Sequence, residues 1–395
     1  MRRLGVIGLV IILGWDGWWL ERSCLASGDD LRIKRRIGVL LEKLQSREAE
    51  DRFEAARALG ELGEKAAPAV EALVGALRDE EFWVREAAAE ALGKIGPAAR
   101  SAVGALVELL GDEEGWVSWS AQNALARIGP AAVPALALAL KNKEPGVRAA
   151  SAEALGKIGP AARSAVGALV RCLGDVDWQV RAASAEALGK IGPAARSAVV
   201  ALVRCLGDAD WQVRAASAEA LGKIGPAARS AVEALCKQLE REEDLRVCEA
   251  VAEALGKIGP AARSAVGVLV RCFEKKRWSM RATVAEALGR IGPGARSAVP
   301  ELEKLLRDGS VWVRLTGAWA LISILGSHSG AQDILRKGLL DREVCVYTLR
   351  LLERLGKGAR FARKDLEVLL KSPNSGLSGE ERRRLKKLLG RLREK

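Results

Sequence analysis

The sequence of 395 residues predicts an all-α protein, a right-handed solenoid of tandem two-helix repeats. Two observations support this fold class. Residues 147–175 recur at residues 180–208 with one change, Gly167 to Val200. Within each copy, apolar residues are spaced three and four positions apart, which is the period of an amphipathic helix. One pair of such helices cannot bury its apolar face alone, so stacked neighbours must build a continuous core.

Each unit is predicted to contain two helices, named helix A and helix B in chain order. In the unit at residues 180–208, apolar residues from Val180 to Leu188 mark the buried stripe of helix A. Gly192 and Pro193 then interrupt the chain, because glycine closes a helix in the left-handed conformation and proline suits the first turn of the next one. Apolar residues at helical spacing resume at residues 199–206 and predict helix B.

About ten units of 30–34 residues are predicted. A leucine near the end of helix A marks each unit, and the first and last units depart most from the pattern. The marker residues are Leu59, Leu92, Leu125, Leu155, Leu188, Leu221, Leu255, Leu288, Leu321 and Leu355.

An aspartate and an arginine six positions apart flank the start of helix A in several units. The pairs are Asp79 and Arg85, Asp175 and Arg181, Asp208 and Arg214, and Asp308 and Arg314. With valine before the arginine and Ala-Leu-Gly after it, this pattern resembles HEAT repeats, and most closely the phycobilisome (PBS) lyase HEAT-like type, over about residues 37–370. The resemblance implies a ladder of ion pairs between units. The ladder is expected to be incomplete, because Asn142 precedes Arg148, Asp112 faces Ser118, and Cys248 replaces an arginine.

Residues 1–26 differ in composition from the repeats. Two arginines precede an apolar run at residues 4–15, which is too short for a membrane-spanning helix of roughly twenty residues and suits a secretory signal peptide. We favour a cleaved signal over an uncleaved membrane anchor, with a misread start or a buried cap as the third alternative. A signal predicts export to the periplasm, the cell envelope or the medium. Seven cysteines, an odd number, oppose export and favour the cytoplasmic alternative.

The other end regions are predicted as follows. Residues 27–36 form a short linker, residues 37–370 the solenoid, and residues 371–377 a second linker. Residues 378–395 form a basic amphipathic helix that Ser378 caps and that carries a leucine stripe from Leu385 to Leu392. We favour a role for this helix as a cap on the last repeat over binding to a membrane surface, nucleic acid or a partner groove.

Helix B is predicted to carry two rows of positive charge, because basic residues recur eight positions apart in consecutive units. These residues are Arg163, Arg171, Arg196, Arg204, Arg229, Lys237, Arg263, Arg271, Arg296 and Lys304. The HEAT resemblance implies that B helices line the concave surface, which should then be basic and attract an anionic partner. The competing interpretation is that these are ordinary solvated side chains whose stems cover apolar surface.

Tryptophans recur at the start of helix A, at Trp178, Trp211 and Trp278. Other apolar residues take their place in other units. We therefore expect these rings to pack between units rather than to form a stacking platform for bases or a ligand.

The sequence carries no catalytic motif. A single histidine excludes a multi-histidine metal centre, and the cysteines lack the spacing of a zinc site, so no metal and no cofactor are predicted. Similar repeats occur in deoxyhypusine hydroxylase, whose di-iron site uses His-Glu pairs that this chain lacks. They also occur in bilin lyases, but a resemblance to the repeat alone predicts no lyase site.

The favoured function is a non-catalytic scaffold that holds a protein partner along the concave helix-B face, with an acidic partner fitting the arginine rows. The alternative is an anion-directed binder of nucleic acid or an acidic polymer, using those rows and the basic tail within a net charge of +13. A minor alternative is a bilin lyase-like enzyme or its chaperone. Membrane contact is expected only through the N-terminal segment or the C-terminal helix. Neither the identity of the partner nor the oligomeric state can be read from the residues.

Overall fold

A computed structural model describes residues 30–274, 277–372 and 377–393. The described residues form helices joined by short turns, without a β-strand. Contacts divide the chain after Ile158 into two compact units, here the first part and the second part. No helix within the described ranges is both long and apolar enough to cross a lipid bilayer. The signal peptide or anchor predicted at residues 1–26 lies outside the described residues and stays a prediction.

Ten A helices occur, and each contains or ends on one of the ten marker leucines. They are Ala49–Glu61, Phe82–Ile95, Gly115–Ile128, Pro145–Ile158, Trp178–Ile191, Trp211–Ile224, Leu245–Ile258, Trp278–Ile291, Val311–Leu325 and Cys345–Leu355. The prediction of about ten two-helix units in an all-α fold is confirmed, and the units are numbered 1 to 10 below.

The B helices are shorter than the A helices. They are Val70–Ala76, Val103–Glu108, Val133–Ala139, Val166–Cys172, Val199–Cys205, Val232–Arg241, Val266–Arg271, Val299–Leu305, Ser329–Leu340 and Arg363–Lys371. A separate 3-10 helix precedes the B helix in every unit except unit 9. These segments are Gly63–Ala69, Gly96–Ala102, Gly129–Ala132, Gly159–Ala165, Gly192–Ala198, Gly225–Ala231, Gly259–Ala265, Gly292–Ala298 and Gly356–Ala362. Two further 3-10 turns, Leu109–Gly111 and Cys272–Glu274, end B helices.

The sequence suggested that one α-helix follows the Gly-Pro break. In the structure, a 3-10 segment comes first and the α-helix begins later. Gly192 ends helix A with φ 71° and ψ −140°, a conformation open to glycine. Ala195, inside the following 3-10 segment, has φ −91° and ψ 19°, which lies outside the α region. The α-helix resumes only at Val199. Each unit except unit 9 thus has three segments, and the middle one connects helices A and B.

Consecutive A helices pack with their backbones in contact. A β-carbon placed on Gly189 would lie 2.9 Å from the Cα of Ala220 in the next A helix. Gly93 stands in the same relation to Ala124 in the first part, also at 2.9 Å. Such distances are shorter than real β-carbon contacts, so the glycine is what lets neighbouring A helices approach this closely.

The chain before unit 1 corrects the predicted linker at residues 27–36. Residues 30–43 are helical, and Ile37 and Leu44 are buried. Ile33, Ile37 and Leu44 recur at helical spacing, so these residues form one apolar stripe. Residues 27–29 lie outside the described ranges.

The C-terminal helix Gly379–Arg393 covers the open end of unit 10. At its start the Ser378 N–H donates to Glu381 and the Glu381 N–H donates to the Ser378 hydroxyl, a reciprocal capping arrangement. Arg384 forms an ion pair of 3.1 Å with Glu353 of helix A in unit 10. The apolar stripe of the C-terminal helix is buried and consists of Leu385, Leu388, Leu389 and Leu392. A solenoid requires such a cover, because a terminal repeat has no neighbour on one side.

Candidate interaction surfaces

The ladder arginines bind the turn of the following unit. Nε and Nη2 of Arg181 donate to the two carboxylate oxygens of Asp208, each at 2.8 Å. Nη1 of Arg181 donates to the main-chain oxygens of Asp175 and Val176 in its own turn. The Asp208 carboxylate also accepts the N–H of Asp210 at 2.9 Å. One guanidinium therefore ties two consecutive turns together with a bidentate, charge-assisted contact.

The same bidentate geometry recurs in the described residues, for example in Arg52 with Asp79, Arg85 with Asp112, Arg214 with Glu242, and Arg281 with Asp308. The partners lie 27 or 28 residues apart, so each pair joins two consecutive units. Sequence reasoning missed Arg52, Arg281 and the glutamate at position 242. A search for a carboxylate 27 or 28 residues after each arginine would have found these residues.

Two of the predicted gaps, Ser118 and Cys248, and one predicted ladder residue, Arg314, make smaller contacts. The Ser118 hydroxyl donates to the main-chain oxygen of Leu110 at 2.9 Å. The Cys248 sulfur lies 3.3 Å from the main-chain oxygen of Glu242. Arg314 donates through Nη1 to the main-chain oxygens of Asp308 and Gly309. These contacts each lie within one turn and do not form a bidentate link between units.

The ladder carboxylates are stabilised in the ionised form. Burial raises the pKa of Asp208, but the hydrogen bonds from Arg181 and from the Asp210 N–H outweigh it, and the pKa lies below the usual value. Burial is likewise outweighed by hydrogen bonds for Asp79, Asp112, Glu242 and Asp308. The hydrogen bond to Asp208 raises the pKa of Arg181, so both partners stay charged at neutral pH.

We expect the ladder to make the protein sensitive to acid. A carboxyl group whose pKa is lower in the folded than in the unfolded chain stabilises the fold fully above the unfolded value, about 3.9 for Asp, and loses this effect as the pH falls through the folded value. The urea concentration at the unfolding midpoint should therefore decrease as the pH is lowered below about 4. Asp208→Asn should make the fall smaller. A midpoint that rises between about pH 5 and pH 3 would contradict the sign of the shift.

All ten basic residues predicted for the helix-B side are exposed. They do not share one α-helix, however, because the eight-residue spacing crosses the break between two segments. The 3-10 segments carry the first row, Arg163, Arg196, Arg229, Arg263 and Arg296. The α-helices carry the second row, Arg171, Arg204, Lys237, Arg271 and Lys304.

The second row is partly neutralised by neighbouring carboxylates. Three ion pairs do this, Lys237 with Glu233, Arg271 with Glu240, and Lys304 with Glu301. The positive charge of the helix-B side is therefore concentrated in the first row and in units 4 and 5.

Near the end of the chain, an ion pair joins two A helices that are not neighbours. Arg354, in helix A of unit 10, lies 2.6 Å from the Glu286 carboxylate in helix A of unit 8, and Arg290 pairs with the same carboxylate at 2.6 Å. One ion pair therefore links the A helices of units 8 and 10 across the intervening unit.

Two cavities lie on the helix-A side of the second part. One of about 680 Å³ follows the ends of the A helices from unit 7 to unit 10, beside Lys257, Trp319 and Arg354. Another of about 400 Å³ lies over the A helices of units 6 to 8. Its glutamates have partners within the fold, since Glu286 binds two arginines and Glu249 accepts a hydrogen bond of 2.6 Å from Ser279. These charged groups stabilise the helix-A layer.

Aromatic side chains are exposed on the helix-A side of the first part. Trp83, Trp116 and Trp119, here called the tryptophan patch, have exposed fractions of 38%, 67% and 54%. Trp116 and Trp119 are one helical turn apart, with ring centroids 6.4 Å apart and nearly perpendicular planes. Sequence reasoning missed the patch because it followed the tryptophans that recur. The signal was present, since near-identical units carry Gln and Ala where unit 3 carries these two rings.

A family profile of HEAT repeats matches residues 37–126, 104–189, 133–206, 166–256, 199–288, 232–322 and 267–355. The chain belongs to the HEAT-repeat family. No curated protein matches this HEAT-repeat chain by sequence.

Solved structures share the solenoid fold. Importin beta, crystallised in an ammonium sulfate condition, has a TM-score of 0.66 and 16% identity, over 90% of this chain and 57% of that chain. The Kap95:Nup1 complex has a TM-score of 0.53 and 15% identity, over 91% of this chain and 62% of that chain. The HEAT-repeat chain therefore spans 57–62% of the length of these two proteins, and the likeness shows the fold alone.

The comparison with solved structures also matches the CpcE and CpcF complex of phycocyanin lyase from Nostoc sp. PCC7120. It has 24% identity, over 66% of this chain and 94% of that chain. Its TM-score is 0.36, which supports no argument about shape or activity.

The recurring tryptophans of the HEAT units differ in their surroundings. Trp211 is half-buried, and the Arg246 guanidinium lies 3.4 Å from its ring centroid, a cation–π contact between units 6 and 7. Trp278 is 52% exposed. Packing between units, expected for all three rings, thus describes Trp211 well and Trp278 poorly.

The described HEAT units offer surfaces for binding. No group of three or more His, Cys, Asp or Glu side chains in the described ranges is placed to hold a metal ion. Burial raises the pKa of the Cys205 thiol, which opposes formation of a reactive thiolate. What the described surfaces present is a cationic row on the helix-B side and aromatic rings on the helix-A side.

Proposed function

We propose that this HEAT-repeat chain is a non-catalytic scaffold that binds a protein partner. The observation that supports it most is the exposure of Trp116 and Trp119, at 67% and 54%. A tryptophan ring buries a large apolar area when a partner covers it, and tryptophans contribute heavily to the binding energy of protein interfaces. The likeness to a Kap95:Nup1 complex adds support, because that solenoid of the same fold binds a protein.

The tryptophan patch in the first part and the arginine row in the second part have different chemistry, and this guides the choice of face. The sequence placed the protein partner on the helix-B side, which presents arginines. The tryptophan patch lies on the helix-A side of units 2 and 3, where apolar area is available for burial. We therefore assign the protein partner to the helix-A side and keep the helix-B side for an anionic ligand.

Affinity capture with the full chain tests the scaffold function. Immobilised protein is exposed to a lysate of the cells that make it, in the native form, as Trp116→Ala/Trp119→Ala, and as the control Trp278→Ala. We expect proteins retained by the native form and by the control to be lost from the double variant, while circular dichroism shows all three folded. Retention of the same proteins by all three forms, or of none by the native form, would contradict the proposal.

A second candidate function is binding of an anionic polymer along the helix-B side. It is favoured by the first arginine row, whose five members are all exposed and recur once per unit at 33 or 34 residues. Evenly spaced like charges suit a partner with regularly spaced phosphates or sulfates. The same capture separates the two functions. Nucleic acid held by this row would persist in the tryptophan variant and be released as salt rises from about 50 to 200 mM.

A further inference from the structure

We propose that the tryptophan patch binds a basic protein segment that also carries apolar side chains. This inference rests on the proposed scaffold function and narrows it to one chemical class of partner. It follows from the continuity of the patch, the fixed orientation of its rings and the charge of its surroundings.

The patch is continuous across two units. Trp83 and Trp116 occupy the same repeat position, nine residues before Leu92 and Leu125. Their A helices are in backbone contact at Gly93 and Ala124. Helices packed this way are about 8–10 Å apart, and consecutive rings are therefore within reach of one extended segment.

The rings are held in place before any partner arrives. Trp116 and Trp119 meet edge to face at 82°, and Phe82 and Trp83 meet edge to face with centroids 5.3 Å apart. Side chains that are already ordered lose little conformational freedom on binding. The exposed area of the patch is thus well suited to burial by a partner.

The patch has an acidic rim. Glu80, Glu113 and Glu114 are exposed in the turns that precede its two A helices, and Glu81 and Glu86 are partly exposed. Arg85 is bound bidentately to Asp112. Arg52, bound to Asp79, lies 3.5 Å from Glu80. The negative charge of the rim is therefore carried by Glu81, Glu86, Glu113 and Glu114. Such a rim attracts a basic segment and repels an acidic one.

The rings themselves accept cations. Lys157 places its ammonium 5.9 Å from the Trp119 ring centroid while donating to Asn123 at 2.9 Å. The remaining exposed surface of Trp119 and most of Trp116 can receive lysine or arginine side chains in the same way. Apolar side chains between those cations would cover the ring edges. Charge and shape therefore favour a segment that mixes basic and apolar residues.

Fluorescein-labelled peptides provide the test. Three peptides of about 12 residues, roughly 40 Å when extended, alternate Lys with Leu, Glu with Leu, or Lys with Ser. Anisotropy with the full chain should give the lowest Kd for the Lys/Leu peptide. Trp116→Ala/Trp119→Ala should raise that Kd about tenfold or more, and the control Trp278→Ala should leave it unchanged. Glu113→Lys/Glu114→Lys keeps the rings and should weaken Lys/Leu binding while strengthening Glu/Leu binding.

The outcomes separate this inference from the scaffold function. If the Glu/Leu peptide binds as tightly as Lys/Leu and still depends on the two rings, the basic class is wrong and the scaffold stands. If both double variants bind the Lys/Leu peptide with the Kd of the native chain, the patch is not the binding site of this peptide. Failure of all three peptides to bind the native chain would overturn the inference. The scaffold function is tested separately by the capture experiment.

Discussion

Replacing Arg181 with alanine is expected to lower the free energy of unfolding by about 2–3 kcal/mol. The substitution removes two hydrogen bonds to Asp208 and two to the main chain of its own turn. It also leaves the half-buried Asp208 carboxylate without its counter-charge, which is costly for an ionised group. Urea unfolding followed by circular dichroism measures the change.

Two further variants control for the loss of charge. Arg171→Ala removes an exposed arginine at the end of a B helix and should change stability by less than about 0.5 kcal/mol. Arg181→Lys keeps the charge but not the planar fork, and should reproduce most of the loss. Equal effects of Arg171→Ala and Arg181→Ala would show that the bidentate geometry does not matter.

Gly256→Ala is expected to destabilise the fold by about 1–3 kcal/mol, although alanine is the better helix former. The new β-carbon would lie 2.7 Å from the Cα of Ala287. Since that neighbour is backbone, the two A helices must move apart along their whole contact. The urea midpoint should fall, and a midpoint at or above that of the native chain would refute the close approach.

Gly167→Ala provides the matched control. Gly167 lies in a B helix, and a β-carbon there would meet nothing within 4 Å. Alanine should therefore stabilise the fold by up to about 1 kcal/mol through helix propensity and a more restricted unfolded chain. The same chemical substitution should act with opposite sign at the two positions, which isolates packing as the cause.

The repeat allowed the helices and their number to be predicted, because apolar spacing and the Gly-Pro break are local and recur in nearly every unit. It did not show that residues 192–198 form a 3-10 helix. The difference between hydrogen bonding to the third or the fourth preceding residue is small in free energy, and packing between units decides it.

The surfaces were harder to predict than the helices. The arginine rows repeat, and sequence alone suggested them, but not that Glu233, Glu240 and Glu301 neutralise part of the second row. The tryptophan patch does not repeat. A prediction based on periodicity gives least weight to residues that differ from the repeat. Such residues can nevertheless give one unit a surface that its neighbours lack.

Identical neighbours make the order of assembly ambiguous. The A helices Trp178–Ile191 and Trp211–Ile224 have the same 14-residue sequence. Both place a glycine against the alanine of the next helix, with the built β-carbon at 2.9 Å. During folding, an A helix could therefore dock on the unit before its proper neighbour, because the two surfaces are nearly equivalent. The skipped unit of about 33 residues would then form a loop, whose closure costs little entropy. Irregular features such as Glu242 and the buried Trp319 distinguish one position along the array from another, and so oppose mispairing.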